Sequence, residues 1–130
     1  MSTIKVTNVQ DTSGGSSSTS AEIFKGRAKA WVNFDGAVSS PSINDDFNVN
    51  SITDNGTGQY TINFSNALPT ANYVIAGSGT WSNLSWGLHV TVDGSTITTS
   101  GFKIHTVYTN SANFNNTDCK IAMVVVFCDT

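Results

Sequence analysis

The run Ile121-Ala122-Met123-Val124-Val125-Val126-Phe127 is apolar at every position, and it restricts what the chain can fold into more than any other feature. A β-strand turns alternate side chains to opposite faces, so a strand apolar throughout must be covered on both. One small sandwich gives that cover only to an interior strand, and the second cover is expected from a neighbouring subunit. Ile121, Met123, Val125 and Phe127 are therefore the candidate subunit-interface residues. The competing source of cover is a loop or a short helix around Ile23 and Phe24.

The rest of the chain fits one domain, since 130 residues leave no surplus for a second core. Residues 1–26 read as an arm, a Gly/Ser connector through Ser13-Gly14-Gly15-Ser16 and one short helix. Thr19 and Glu22 have capping-box spacing, and Gly26 can stop the turn. From Arg27 to Thr130, β-branched and aromatic runs alternate with turn residues. The strands expected are Ala28–Phe34, Phe47–Ile52, Gln59–Phe64, Asn72–Ala76, Trp86–Val92, Thr96–Thr99, Phe102–Tyr108 and Lys120–Phe127. Asp54-Asn55-Gly56-Thr57-Gly58 reads as a hairpin turn, and Asp93-Gly94 as a reversal inside a three-strand meander. The fold class is all-β: a β-sandwich or jelly-roll-like body (27–130) behind an extended N-terminal arm.

Composition removes several function classes. Charged residues make up 12% of the chain, with 6 basic against 9 acidic, so no positive field exists to neutralise nucleic-acid phosphates. A total of 17 Ser, 17 Thr and 14 Asn gives a hydrophilic but uncharged surface. No stretch approaches the ~20 apolar residues of a membrane span. Met1-Ser2-Thr3-Ile4-Lys5 lacks a secretory apolar segment, which points to synthesis and folding in a cytoplasm with Cys119 and Cys128 reduced. As ends of one strand they would lie ~30 Å apart, too far to pair with each other.

Candidate chemistry is sparse. His89 and His105 alternate with apolar neighbours and read as surface or interface residues, with no Cys, Asp or second His two positions away. No nucleophile elbow is present, and catalysis is not expected; neither is a cofactor or metal. Asp46-Phe47-Asn48-Val49-Asn50 imitates a calcium loop, but Ser51 and Thr57 stand where the glycine and the bidentate acid belong. Trp81, Asn83 and Trp86 form an aromatic and amide cluster of the kind that receives a sugar ring, with Asn113, Asn115 and Asn116 as a second loop. Trp31 reads as packing. The sequons at Asn55, Asn63 and Asn83 are expected to stay unmodified without a secretory signal.

The strings Gly26-Arg27-Ala28-Lys29-Ala30-Trp31-Val32-Asn33-Phe34-Asp35-Gly36 and Phe47–Phe64, with Ile4–Gly15 and Leu68–Tyr73, resemble a family of small tail-fibre-like virion proteins of tailed phages, frequent in cyanophages. The resemblance covers roughly the first 75 residues. Ala37–Ser42 departs from that family's Gly/Thr-rich turn. The resemblance implies a non-enzymatic virion component made in the host cytoplasm and assembled as a homotrimer. In it, Ile4, Val6 and Val9 would attach to other virion proteins, and the β-body would project as a tail fibre or receptor-binding appendage, with a host surface glycan as a possible ligand. The alternatives are a capsid decoration (head fibre or cement) protein and a free carbohydrate-binding module.

Overall fold

The computed structural model describes residues 1–81, 87–110 and 113–129. In chain order the elements are β1 (Asn8–Gln10), β2 (Ser17–Thr19), α1 (Ser20–Gly26), β3 (Ala30–Asp35), β4 (Ser42–Phe47), β5 (Val49–Gly56), β6 (Gln59–Phe64), β7 (Tyr73–Thr80), β8 (Gly87–Thr98), β9 (Gly101–Asn110), β10 (Asn113–Asn116) and β11 (Ile121–Cys128). The protein is all-β with one short helix.

The hydrogen-bonded path runs β4-β3-β11-β7-β8-β9-β6-β5, with β10 on β9, and every pairing is antiparallel. Its two end strands, β4 and β5, are consecutive in sequence and touch, so the sheet nearly closes on itself. Closure and strong twist bring β4-β3-β11-β7 over β8-β9-β6-β5 as the two layers of a sandwich.

The core lies between these layers and follows from two-residue alternation. Ala30, Val32 and Phe34 of β3 and Ala122, Val124 and Val126 of β11 face Tyr60, Ile62, Phe64, Phe102 and Ile104 from the opposite layer, all buried. The aromatic groups meet edge to face, Phe34 on Tyr60 at 5.2 Å and Phe64 on Phe102 at 5.8 Å between centroids. This geometry places the positive ring edge on the negative ring face.

Three strand expectations are corrected. The expected strand Phe47–Ile52 is broken at Asn48, which takes φ 57°. Its side-chain amide donates to the carbonyls of Lys29 and Asn66 at 3.1 Å each, and its Oδ1 accepts from the Asn66 N–H at 2.8 Å. Asn tolerates the left-handed conformation and here staples a corner where the chain leaves one layer for the other. Phe47 consequently belongs to the β3 layer and is 51% exposed, whereas Val49 enters the core. Ser42–Phe47 is an edge strand (β4) that its acidic residues disguised. Asp93-Gly94 is no reversal: β8 runs through it, and the segment bulges against β9 between the Asp93/Lys103 and Thr98/Gly101 pairs. Thr96 Oγ1 organises that bulge, donating to the Asp93 carbonyl and accepting from the Lys103 N–H.

In the arm, the Gly/Ser connector forms a β1–β2 hairpin whose turn uses Gly14 at φ 74°. The capping box is present as expected: Thr19 Oγ1 accepts from the Glu22 N–H at 3.1 Å, and Glu22 accepts from the Thr19 N–H at 2.7 Å. Thr19→Ala should cost the helix about 1 kcal/mol. Circular dichroism should show lost helical signal with the melting of the sandwich unmoved; a falling sandwich melting temperature would show that α1 supports the core.

Candidate functional site

Strand β11 is interior, paired with β3 on one side and with β7 on the other. Its burial alternates despite its uniform apolarity. Ala122, Val124, Val126 and Cys128 are buried in the core, while Ile121, Val125 and Phe127 are half-buried and Met123 is 42% exposed. The four interface candidates thus share the outer face.

Register shows what surrounds them. Val125 stands opposite Trp31 on one side and Ala76 on the other, and Trp31 stands opposite Phe47. Met123 lies between Asn33 and Ser78, and Phe127 opposite Val74. An open depression of about 650 Å³ follows this row, lined by Trp31, Val32, Asn33, Ala76–Ser78 and Met123–Val125, with no charged residue among them. Trp31 is half-buried and forms one wall of it, a role its packing signature in the sequence did not distinguish from core.

Helix α1 covers only one margin of this face. Lys29 Nζ donates to the Phe24 carbonyl at 2.6 Å and lies 3.2 Å from the Phe24 ring centroid. Lys25 pairs with Asp129 at 2.8 Å. These contacts bury Lys29 and hold the helix beside the end of β11, leaving the Trp31–Val125–Met123 stretch open. The helix therefore does not supply the second cover.

The arm residues Ile4, Val6 and Val9 are all exposed, Ile4 by 88%. Val6 and Val9 line a shallow apolar groove with Ile23, Phe24 and Arg27.

Of the glycan candidates, Asn83 and Trp86 lie outside the described residues. Trp81 stacks on Tyr108, with centroids 4.9 Å apart and planes inclined by 21°. Asn115 of β10 pairs with Tyr108, so the ladder puts its side chain beside that stack. Asn113 and Asn116 are exposed on the same strand, and Phe114 is exposed opposite Thr109. Tyr108 was missed from the sequence, whereas Phe114 lies within the Asn113–Asn116 stretch that the sequence offers as a second candidate loop. The alternation of β9 carries Tyr108 to its position, but the partner strand that brings Asn115 there has no apolar pattern to reveal it.

His89 is exposed and His105 half-buried on adjoining strands. Among the described residues no three His, Cys, Asp or Glu side chains converge as a metal site, and no helix is long and apolar enough to cross a membrane. Cys119 and Cys128 are free and buried at opposite ends of β11.

The buried polar groups instead tie the loops at one end of the sandwich. The Tyr60 hydroxyl lies 3.0 Å from both the Gly36 carbonyl and Asp118 Oδ1, and Asp118 also accepts from the Gly58 N–H at 2.8 Å. Burial, with the neighbouring Cys119 and Asp118, raises the Tyr60 pKa well above that of a free phenol. Burial likewise pushes Tyr73 up to about 12. Both phenols keep their protons longer in the folded chain than in the unfolded one, so their contribution is complete below pH ~10 and declines as pH rises beyond it. Stability should therefore fall above pH ~10, and the double variant Tyr60→Phe/Tyr73→Phe should flatten that limb in urea titrations; an unchanged limb would assign it to other groups.

No protein-family model, curated protein or solved structure matches this chain.

Proposed function

We propose that the chain is a non-enzymatic virion protein of a tailed phage, a tail fibre or receptor-binding appendage assembled as a homotrimer. The observation that carries the reading is the uncharged apolar face over Trp31, Met123 and Val125. A contiguous apolar surface of this kind on a small domain marks an association site, and here it lies on the strand whose sequence demands a second cover. The copy number and the virion setting rest on the resemblance of the Gly26–Gly36 and Phe47–Phe64 strings. Few charges and many hydroxyl and amide groups suit a durable exposed assembly better than a catalytic cleft. The arm attaches the assembly to the particle, and the Trp81–Tyr108 stack with Asn115 supplies an amphipathic surface suited to a host glycan.

Immunogold labelling or a particle reconstruction tests this reading. Density for the protein on the tail is the expected result. A signal confined to the shell would replace the fibre with a decoration protein, and absence from washed particles would remove both virion roles and leave a free binding module.

A further inference from the structure

The sandwich has a seam. Among the described residues, strands β7 and β8 pair only at Gly79 with Leu88 and Thr80 with Gly87; β8 then continues along β9, while β7 stays with β11 over its whole length. Among the described residues nothing pairs with the other edge of 73–78. The Thr80 carbonyl accepts from the Lys120 N–H at 2.9 Å, on the β11 side. Alternation along the strand therefore turns the N–H and C=O groups of Ile75 and Gly77 toward the open edge.

The seam is bounded at one end by the Gly79–Leu88 pair. At the other, the Tyr73 hydroxyl reaches across it to within hydrogen-bond distance of the carbonyls of Thr98 and Gly101, at 2.9 and 3.2 Å. Within it Ile75 and Val90 are only half-buried, and Val90 Cγ1 lies 3.1 Å from where a Cβ on Gly77 would stand.

Exposed edges are usually blunted by charge, proline or bulges. The opposite edge of the same layer obeys this: β4 carries Asp45 and Asp46, with a register shift against β3. The stretch Val74-Ile75-Ala76-Gly77-Ser78 has none of these devices, and Val74 is 67% exposed. The chain also holds a strand-like segment without a sheet. Residues 1–6 belong to no element, are exposed, and alternate Ile4 and Val6 with Lys5.

We propose that Thr3–Val6 of one copy adds as a strand to the free edge of β7 in the next copy. Ile4 and Val6 then face inward over Ile75 and Val90, and Lys5 points to solvent level with Ala76. Main-chain bonds to Ile75 and Gly77 supply affinity, as in other strand additions. The contact joins two different surfaces, so repetition around three copies closes a ring. This inference rests on the homotrimer reading and refines the arm's role, leaving particle attachment to the β1–β2 hairpin and helix with Val9 and Ile23.

The test uses the full-length chain with Lys5→Cys and Ala76→Cys together, oxidised and run on a denaturing gel without reductant. Cross-strand neighbours fall within disulfide reach, and the native cysteines are buried. The expected product is a covalent species of three chains, absent from each single variant, and a mixture of the two singles should give covalent dimers. A disulfide closed within one chain overturns the proposal. So does no disulfide in this pair when light scattering still reads three copies, a result that leaves the homotrimer standing. A single-chain mass for the unaltered protein overturns both.

Discussion

Val125→Asp is expected to leave the chain folded and to abolish its self-association. Val125 sits mid-row on the outer face between Trp31 and Ala76. In an isolated chain the new carboxylate meets water, and the core one residue away is untouched. In the assembly it would be buried without a partner, at about 3 to 5 kcal/mol for each contact, which weakens association by a hundredfold or more. Sedimentation should show a single-chain species with an unchanged β-type circular dichroism spectrum. The neighbouring substitution Val124→Asp should instead unfold the protein, because that side chain is 4% exposed among core residues. If Val125→Asp associated as the unaltered chain does, the outer face would not be the interface.

The second large effect concerns the backbone. Gly101 takes φ 155°, and a Cβ there would stand 2.2 Å from the Ile62 carbonyl oxygen of the adjoining strand. Gly101→Ala combines a strained dihedral with a clash against backbone that cannot rotate away. The expected cost is about 3 to 5 kcal/mol, a large share of the ~5 to 15 kcal/mol that stabilises a typical domain. Melting should drop by roughly 10 to 20 °C. Gly94→Ala is the control, since nothing lies within 4 Å of its added Cβ and it should change melting by less than a few degrees. Equal melting temperatures for the two variants would refute the account of the β6–β9 approach.

How far the sequence revealed this architecture depends on whether each signal is local. The capping box could be read because its atoms are three residues apart and satisfy each other. Gln59–Phe64 was evident because one face is core and the other faces outward, which imposes strict alternation. That Ile121–Phe127 is a strand could be read from its apolar, β-branched run, but its place between β3 and β7 could not, because apolar faces report what covers a strand and not what pairs with its edges. The bulge at Asp93 could not be told from a reversal, because the same residues serve both; the difference lies in Lys103, which Thr96 engages from the next strand. The corner at Asn48 was hidden because its partners Lys29 and Asn66 are 19 and 18 residues distant. The seam beside β7 was equally hidden, since an unpaired edge is a property of the sheet and leaves no mark on the strand itself.

The outer face itself is half legible. Met123 and Val125 announce it, whereas Trp31 reads as packing until register sets it beside Val125, with Phe47 on its other side. The mass of the unaltered chain in solution, measured by light scattering at micromolar concentration, probes the need for sister copies most directly. Three times the 13.7 kDa of one chain is the result predicted, and a mass near 13.7 kDa would contradict it.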